Sequence, residues 1–129
     1  MNLEQVLYRT LKDGGCTYGP LDDEIFLPGS PYYALSLHKE CEEVVPLKDF
    51  GVESIWGYAA RHRDKFKSGL CLGTWVHEGK VYLDITQLFH KDYYTLYEIH
   101  AMNDDQIAAW DLETSELIYF DYDIEETLD

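Results

Sequence analysis

The chain has no lysine or arginine after Lys91, although its last 29 residues, 101–129, contain ten carboxylates. The net charge of the whole chain is −15, so this C-terminal segment contributes −10 and the preceding hundred residues contribute only −5. The imbalance is therefore local, and one region of the surface must carry it. Because such a field repels phosphate, the sequence predicts no direct binding to nucleic acid.

Paired cysteines and long apolar runs are missing as well. The three cysteines, Cys16, Cys41 and Cys71, form no C-x-x-C pair, and the charged residues after Met1 do not resemble a signal peptide. These features favour a reducing environment and predict a cytoplasmic protein. No stretch approaches the roughly 18 apolar residues that cross a bilayer. The sequence therefore predicts no association with membranes.

Familiar catalytic motifs are absent too. There is no nucleophile elbow, no P-loop and no dinucleotide-binding glycine motif. His38 and Cys41 form one pair with ligand spacing, whereas a structural zinc site needs four ligands. The sequence predicts no enzyme, no metal site and no cofactor. His77, Glu78 and Asp84 are the one compact group that could serve as acid and base, so an enzyme or small-ligand site there remains the alternative.

What is present is enough to build a core. Hydrophobic residues make up 46% of the 129 residues and aromatic residues 15%, which is too much for a disordered chain. We expect one domain over residues 1–129. It divides into an N-terminal helix and wrapping loop (1–31), a core (32–112) and an acidic C-terminal segment (113–129).

Hydrophobic periodicity predicts the elements of this domain. The chain is expected to begin with a helix at Leu3–Leu11 and an irregular connection at Cys16–Pro31, followed by a strand at Tyr32–Lys39. A helix at Leu47–Phe66, with a break near Gly51 or Gly57, then leads to a hairpin of Leu70–Val76 and Lys80–Thr86. The last two elements expected in this order are a helix at Lys91–Met102 and a strand at Gln106–Trp110. This is the order of a ferredoxin-like core. The sequence predicts a two-layer α+β fold with four antiparallel strands, helices on one face and a fifth strand at Leu117–Tyr122.

Two segments resemble a known group of proteins. The run from Gly73 to Ile85 contains a G-x-W…G-K-V-Y-L-D hairpin pattern, and Asn103 with Gln106–Leu112 follows an N-Q-[I/L]-A-I-[W/F/Y]-D-L pattern. The chain resembles a family of small uncharacterised proteins of bacteriophages, prophages and mobile elements. It departs from that family by inserting two aspartates after Asn103, and by Ser115 where the family often has glycine. The resemblance implies a viral or mobile-element protein inside a bacterium and no particular reaction.

The acidic end has a spacing with physical meaning. In an extended chain Asp121, Asp123 and Glu125 lie on one side, roughly 6.5 to 7 Å apart. Duplex DNA carries one charge per roughly 3.4 Å on each strand, so this row matches alternate phosphates. The row is a candidate nucleic-acid mimic for the basic groove of a host protein. The competing interpretation is a solvated acidic terminus that only aids solubility.

Tyrosine is the second candidate for partner contacts, because it supplies contact area at low entropic cost. Eleven tyrosines are present, and Tyr119 and Tyr122 stand beside the acids. We expect a small acidic phage protein that binds and inhibits a basic nucleic-acid-binding host protein. A self-assembling homodimer with a tyrosine-lined interface is a further alternative. The predicted partner-binding residues are Asp121, Asp123, Glu125, Glu126, Tyr119, Tyr122, Glu113 and Glu116.

Overall fold

The computed structural model describes residues 2–103 and 105–120, and within these ranges the chain forms a mixed α+β fold with four α-helices and an antiparallel sheet of eight strands. The helices are α1 (Leu3–Asp13), α2 (Val52–Arg61), α3 (Arg63–Lys67) and α4 (Leu96–Met102). The strands are β1 (Gly15–Gly19), β2 (Glu24–Phe26), β3 (Tyr32–Leu37), β4 (Glu43–Pro46), β5 (Cys71–His77), β6 (Lys80–His90), β7 (Ala108–Asp111) and β8 (Glu116–Tyr119).

The chain divides into two compact units. The first unit consists of the residues up to Leu27 together with Ser36–Gln87, and the second of Pro28–Leu35 and the described residues from Leu88 onward. In the first unit the strand order is β2-β1-β5-β6, and β4 also pairs with β6. In the second unit the order is β3-β7-β8. Strands β3 and β6 neighbour each other and contribute residues to both units.

The core of the first unit joins α1, α2 and α3 to one face of strands β1, β5 and β6. Alternate residues of β6 point into it, and Val81, Leu83 and Ile85 are all buried there. Tyr18, Ile55 and Tyr58 complete its centre, as do the buried residues Leu3, Val6, Phe50, Ala59, Phe66 and Leu72. This apolar layer fixes the strands that carry the polar residues of the opposite face.

The connection predicted at Cys16–Pro31 is wrong, because β1 and β2 form a hairpin there. The misleading signal was the combination of prolines, glycines and acids in this segment. At Gly15 a Cβ atom would lie 2.8 Å from the carbonyl oxygen of Thr74, so glycine is needed for close pairing with β5. The connection between β1 and β2 is held by Asp23, which accepts hydrogen bonds from the Tyr18 hydroxyl at 2.5 Å and the Asn2 amide at 2.8 Å.

The predicted long helix is divided. It begins after Gly51, one of the two predicted break positions, instead of at Leu47, continues through Gly57 and is interrupted at His62. Strand β4, which the sequence analysis missed, explains the interruption. Its Glu43 accepts two hydrogen bonds from Arg61, at 2.5 and 3.0 Å, and lies 3.0 Å from His62 Nε2. The hydrogen bond from Arg61 lowers the pKa of Glu43 below its ordinary value.

The hairpin of β5 and β6 confirms the clearest sequence prediction. His77 pairs with Lys80, and Glu78 and Gly79 form a two-residue turn with φ of 49° and 76°. Positive φ at both positions is the geometry that matches the twist of an antiparallel hairpin. Strand β6 continues to His90, four residues beyond the predicted end.

The second unit contains β7, β8 and α4. Helix α4 begins at Leu96 instead of Lys91, because Thr95 caps it: the Glu98 amide donates to the Thr95 hydroxyl at 3.2 Å, and the Thr95 amide donates to the Glu98 carboxylate at 3.1 Å. Buried Ile99 faces inward, and His100 stacks on Phe120 with ring centroids 4.5 Å apart. These contacts place the end of β8 against the helix.

The α+β class, the antiparallel sheet and the preceding N-terminal helix are confirmed. The count of four or five strands is wrong, since the described part of the chain contains eight. The prediction of one domain over residues 1–129 stays a prediction.

A buried hydroxyl pair joins α1 to β5 and allows a test of the first unit. Thr10 Oγ1 donates to the Val6 carbonyl at 2.8 Å, so the 2.6 Å contact between the hydroxyls of Thr10 and Thr74 must use the Thr74 proton. Thr10→Val would leave the Thr74 donor unsatisfied and lower the free energy of unfolding by about 2 kcal/mol, whereas Thr74→Val would cost about 1 kcal/mol.

The double variant should lose less free energy of unfolding than Thr10→Val alone, because it also removes the Thr74 hydroxyl that Thr10→Val leaves unsatisfied. Urea unfolding monitored by circular dichroism measures all three values. Additive costs for the two substitutions would contradict this account of the pair.

Candidate partner-binding surface

Strands β7 and β8 form a hairpin whose register sets its two faces. Trp110 pairs with Leu117, and Ala108 pairs with Tyr119. Because cross-strand partners and residues two apart share a face, these four side chains lie on one side. We call this side the hairpin face. Ala109, on the other side, is buried.

The hairpin face is apolar and open to solvent. Trp110 is 39% exposed, Leu117 51% and Tyr119 53%. Single exposed apolar residues are ordinary on protein surfaces, but three large ones in adjacent cross-strand positions form a patch. Aromatic side chains in such patches are typical anchors of protein–protein contacts.

The predicted acids are only partly described. Glu116 is the first residue of β8, and Glu113 lies in the loop between β7 and β8. Both are exposed. Asp121, Tyr122, Asp123, Glu125 and Glu126 lie outside the described residues. The predicted row therefore lies wholly outside the described residues, and of its two predicted flanking tyrosines only Tyr119 is described, on the hairpin face.

Lys91 stabilises the loop end of this hairpin. Its ammonium group lies 2.8 Å from Asp111 Oδ1 and 2.9 Å from Glu113 Oε1, and 4.8 Å above the ring of Tyr33. Asp111 is buried and also accepts hydrogen bonds from the amides of Glu113 and Thr114, which form the loop. One cation faces two carboxylates, so the cluster keeps a single negative charge.

These contacts change the pKa values of both Lys91 and Asp111. Burial alone would lower the pKa of Lys91, but its hydrogen bonds to Asp111 and Glu113 outweigh burial and raise that pKa. Burial alone would raise the pKa of Asp111, but the hydrogen bond and charge of Lys91 together with the amides of Thr114 and Glu113 outweigh burial and lower that pKa. Both groups are therefore charged at neutral pH. The carboxylate of Glu113, predicted to contact a partner, is already engaged by Lys91.

The alternative site does not assemble. His77 and Glu78 lie on the exposed turn of the β5–β6 hairpin, with His77 Nε2 3.7 Å from Glu78 Oε1. Asp84 is buried and pairs with Gly73, four residues farther along each strand. At about 3.3 Å per residue this separates Asp84 from the turn by roughly 13 Å. The three residues do not converge on one reacting position.

Asp84 instead belongs to a polar cluster within the first unit. Its Oδ1 accepts from the Thr86 hydroxyl at 2.6 Å and its Oδ2 from the Ser36 hydroxyl at 2.8 Å. Burial raises the pKa of Asp84, and the two hydrogen bonds only partly oppose this. Both carboxylate oxygens of Asp84 thus already accept hydrogen bonds from side chains of the first unit.

Other types of site are not found in the described residues. No group of three or more histidine, cysteine or acidic side chains there is arranged to hold a metal ion. Burial raises the pKa of the Cys71 thiol to about 11 and that of Cys16 to about 12, so neither is a ready nucleophile. Within the same ranges no helix is long and apolar enough to cross a membrane.

Comparison with known proteins gives no relative: no family model, no curated protein and no solved structure matches this chain. The resemblance to phage and mobile-element proteins therefore stays a prediction.

Sequence reasoning found Tyr119 but missed Trp110 and Leu117, the other large residues of the hairpin face. Alternation within β7 and β8 would have placed them there only if the register between the strands had been known. Lys91 was noted as the last basic residue, but its contact with Asp111 spans twenty positions and left no local signal.

Lys91 is predicted to stabilise the hairpin. Lys91→Met would leave the buried Asp111 carboxylate without its cation and lower the free energy of unfolding by about 3 kcal/mol. Glu113→Gln should cost less than about 1 kcal/mol, because Glu113 is half exposed and solvent screens its contact. Urea unfolding compares the two variants, and equal costs would contradict the assignment of Asp111 as the dependent partner.

Asp84 gives a pH-dependent prediction. Its pKa is raised in the folded state, so its contribution to stability is fully present below the ordinary aspartate pKa of about 3.9 and is lost as pH rises through the raised value. Asp84→Asn cannot ionise. The stability of the variant relative to the natural protein should therefore increase as the pH rises above about 4, by about 1.4 kcal/mol for each unit by which the pKa is raised.

Urea unfolding of both proteins across this pH range makes the comparison. A difference that stays constant with pH, or that falls as pH rises, would show that the Asp84 pKa is not raised.

Proposed function

We propose that this chain is a small acidic interaction protein of a phage or mobile element, which binds a basic nucleic-acid-handling protein of its bacterial host and inhibits it by occupying the nucleic-acid site. The observation that carries the proposal is the exposed hairpin face of Trp110, Leu117 and Tyr119, which directly precedes the acids of residues 121–129. Apolar anchors beside a one-signed charge suit a partner with a basic groove.

The charge distribution supports a basic partner. No lysine or arginine follows Lys91, and Lys91 is itself saturated by two carboxylates. Glu116 on β8 and the C-terminal acids therefore have no cation of their own close in sequence. A basic groove would supply the missing positive charge, as it does for phosphates. The acids Asp121, Asp123, Glu125 and Glu126 are the proposed phosphate surrogates, with Tyr119 and Tyr122 as flanking anchors.

The setting is proposed from the resemblance at Gly73–Leu112. A phage-encoded protein acts in the cytoplasm of a bacterium, where nucleases and other defence proteins carry basic nucleic-acid sites. Binding rather than catalysis is the proposed activity, and it needs neither a cofactor nor a metal.

The finer fold assignment is also a proposal. We propose a ferredoxin-like core of β3, β5, β6 and β7 with helices on one face. The strand order supports it, because β6 lies between β3 and β5, and β3 lies between β6 and β7. Each β-α-β connection then joins two strands separated by one antiparallel neighbour, which is the split arrangement.

The test is displacement of nucleic acid. Fluorescence anisotropy would follow labelled duplex DNA bound to purified basic DNA-binding proteins, nucleases among them, as this chain is added. We expect the chain to displace DNA from at least one of them, with affinity falling about tenfold or more between about 50 mM and about 300 mM salt. Failure to displace DNA from any of them at low salt would refute mimicry.

A charge-matched pair of variants locates the effect. The quadruple variant Asp121→Asn, Asp123→Asn, Glu125→Gln, Glu126→Gln should lose about tenfold or more in affinity. The control Glu4→Gln, Asp22→Asn, Glu53→Gln, Asp64→Asn removes the same charge from exposed positions of the first unit and should lose much less. Equal losses would mean that only net charge matters.

A second pair tests the hairpin face. Tyr119→Ala should weaken binding, whereas Tyr8→Ala, which removes a tyrosine of similar exposure from α1, should not. Equal effects would remove the hairpin face from the proposal.

A further inference from the structure

The first unit contains an apolar cleft that the proposed function does not use. It has a volume of about 330 Å³ and lies where Pro20 and Leu21, between β1 and β2, approach α2 and α3. Small-ligand sites range from about 300 to about 1,000 Å³, so the cleft is large enough for a compact ligand.

Helical spacing builds one wall of the cleft. Trp56, Ala60, Arg63 and Lys67 follow one another at intervals of three or four residues and line it, despite the break at His62. Phe66 is buried and forms part of its floor. At the rim, Trp56 is 58% exposed and Leu21 59% exposed. Two large apolar side chains thus stand open to solvent beside an apolar floor.

The charge of the cleft is opposite to that of the chain. Among the described residues, both charged residues that line it, Arg63 and Lys67, are cations, and no carboxylate lines it. In the described part of the chain neither cation has an acidic partner within 4.0 Å, whereas Arg9, Arg61, Lys65 and Lys91 each have one. Lys12, Lys39, Lys48 and Lys80 also have no acidic partner within that distance in the described ranges, so Arg63 and Lys67 are distinguished by lying together at one apolar cleft.

We propose that this cleft binds a small amphiphilic anion, an aromatic or aliphatic carboxylate or sulfonate. Its apolar body lies against Trp56, Leu21 and Phe66, and its anionic group lies between Arg63 and Lys67. Arginine and lysine one helical turn apart supply several donors to a single anionic group. The apolar lining supplies the burial that a small ion alone would lack.

Two fluorescent probes separate charge from hydrophobicity. The anion 8-anilinonaphthalene-1-sulfonate and neutral N-phenyl-1-naphthylamine share one ring system and differ in the sulfonate. Titrated into the full chain, the anion should bind about tenfold more tightly than the neutral probe, although the protein carries net negative charge. Dodecanoate should displace it. Equal affinities, or tighter binding of the neutral probe, would overturn the proposal.

Variants place the anion in the cleft. Arg63→Gln with Lys67→Gln should reduce affinity for the anion to that for the neutral probe and leave the neutral probe unchanged. The control Lys48→Gln with Lys80→Gln removes two exposed cations elsewhere and should have little effect. Equal losses from both pairs would show that the anion responds to net charge alone and would overturn the site.

A third variant fills the cleft. Ala60 is exposed on α2, so Ala60→Phe adds a ring in the cleft without disturbing the core, which circular dichroism and thermal unfolding would verify. It should weaken both probes about tenfold. Unchanged binding in a folded Ala60→Phe protein would place the probes elsewhere and refute the proposal.

Discussion

This chain has 10 cationic side chains to pair with 25 carboxylates. The positions of the cations therefore determine much of the structure. Lys91 neutralises the buried Asp111 and fixes the loop of the β7–β8 hairpin. Arg61 neutralises Glu43 and ties the end of α2 to β4. Asp111 is buried, and a buried carboxylate without a partner is costly. Glu43 and Arg61 are partly exposed, so solvent weakens their pair, although it still joins two elements. The remaining acids must be carried by solvent or by a partner.

The shortage of cations determines which surfaces carry negative charge and which carry positive charge. The second unit has no basic residue beyond Lys91, and its hairpin face presents Trp110, Leu117 and Tyr119 to solvent. In the first unit Arg63 and Lys67 line an apolar cleft and have no acidic partner within salt-bridge distance in the described ranges. The two surfaces call for ligands of opposite charge. The proposed ligands are accordingly a basic protein for the first and a small amphiphilic anion for the second.

Prediction succeeded where the signal was local. The β5–β6 hairpin followed from two apolar runs around Glu78 and Gly79, and α1 from its helical periodicity. It failed where a distant contact overrode the local signal. The prolines and glycines of Cys16–Pro31 suggested a loop, but β1 in this segment pairs with β2 and with β5. Strand β4 was missed because its pairing partner β6 lies far along the chain, and its Glu43 contacts Arg61 and His62, eighteen and nineteen positions away, at the break between α2 and α3.

The sequence by itself determined the α+β class, the antiparallel hairpin at its centre and the concentration of negative charge at one end, because periodicity, turn chemistry and charge are properties of neighbouring residues. Only the tertiary structure decided that residues 2–103 and 105–120 form eight strands, that Asp84 is buried away from His77, and that Trp110, Leu117 and Tyr119 share a face. Strand register and burial depend on partners far apart in the chain, and residue spacing alone does not specify them.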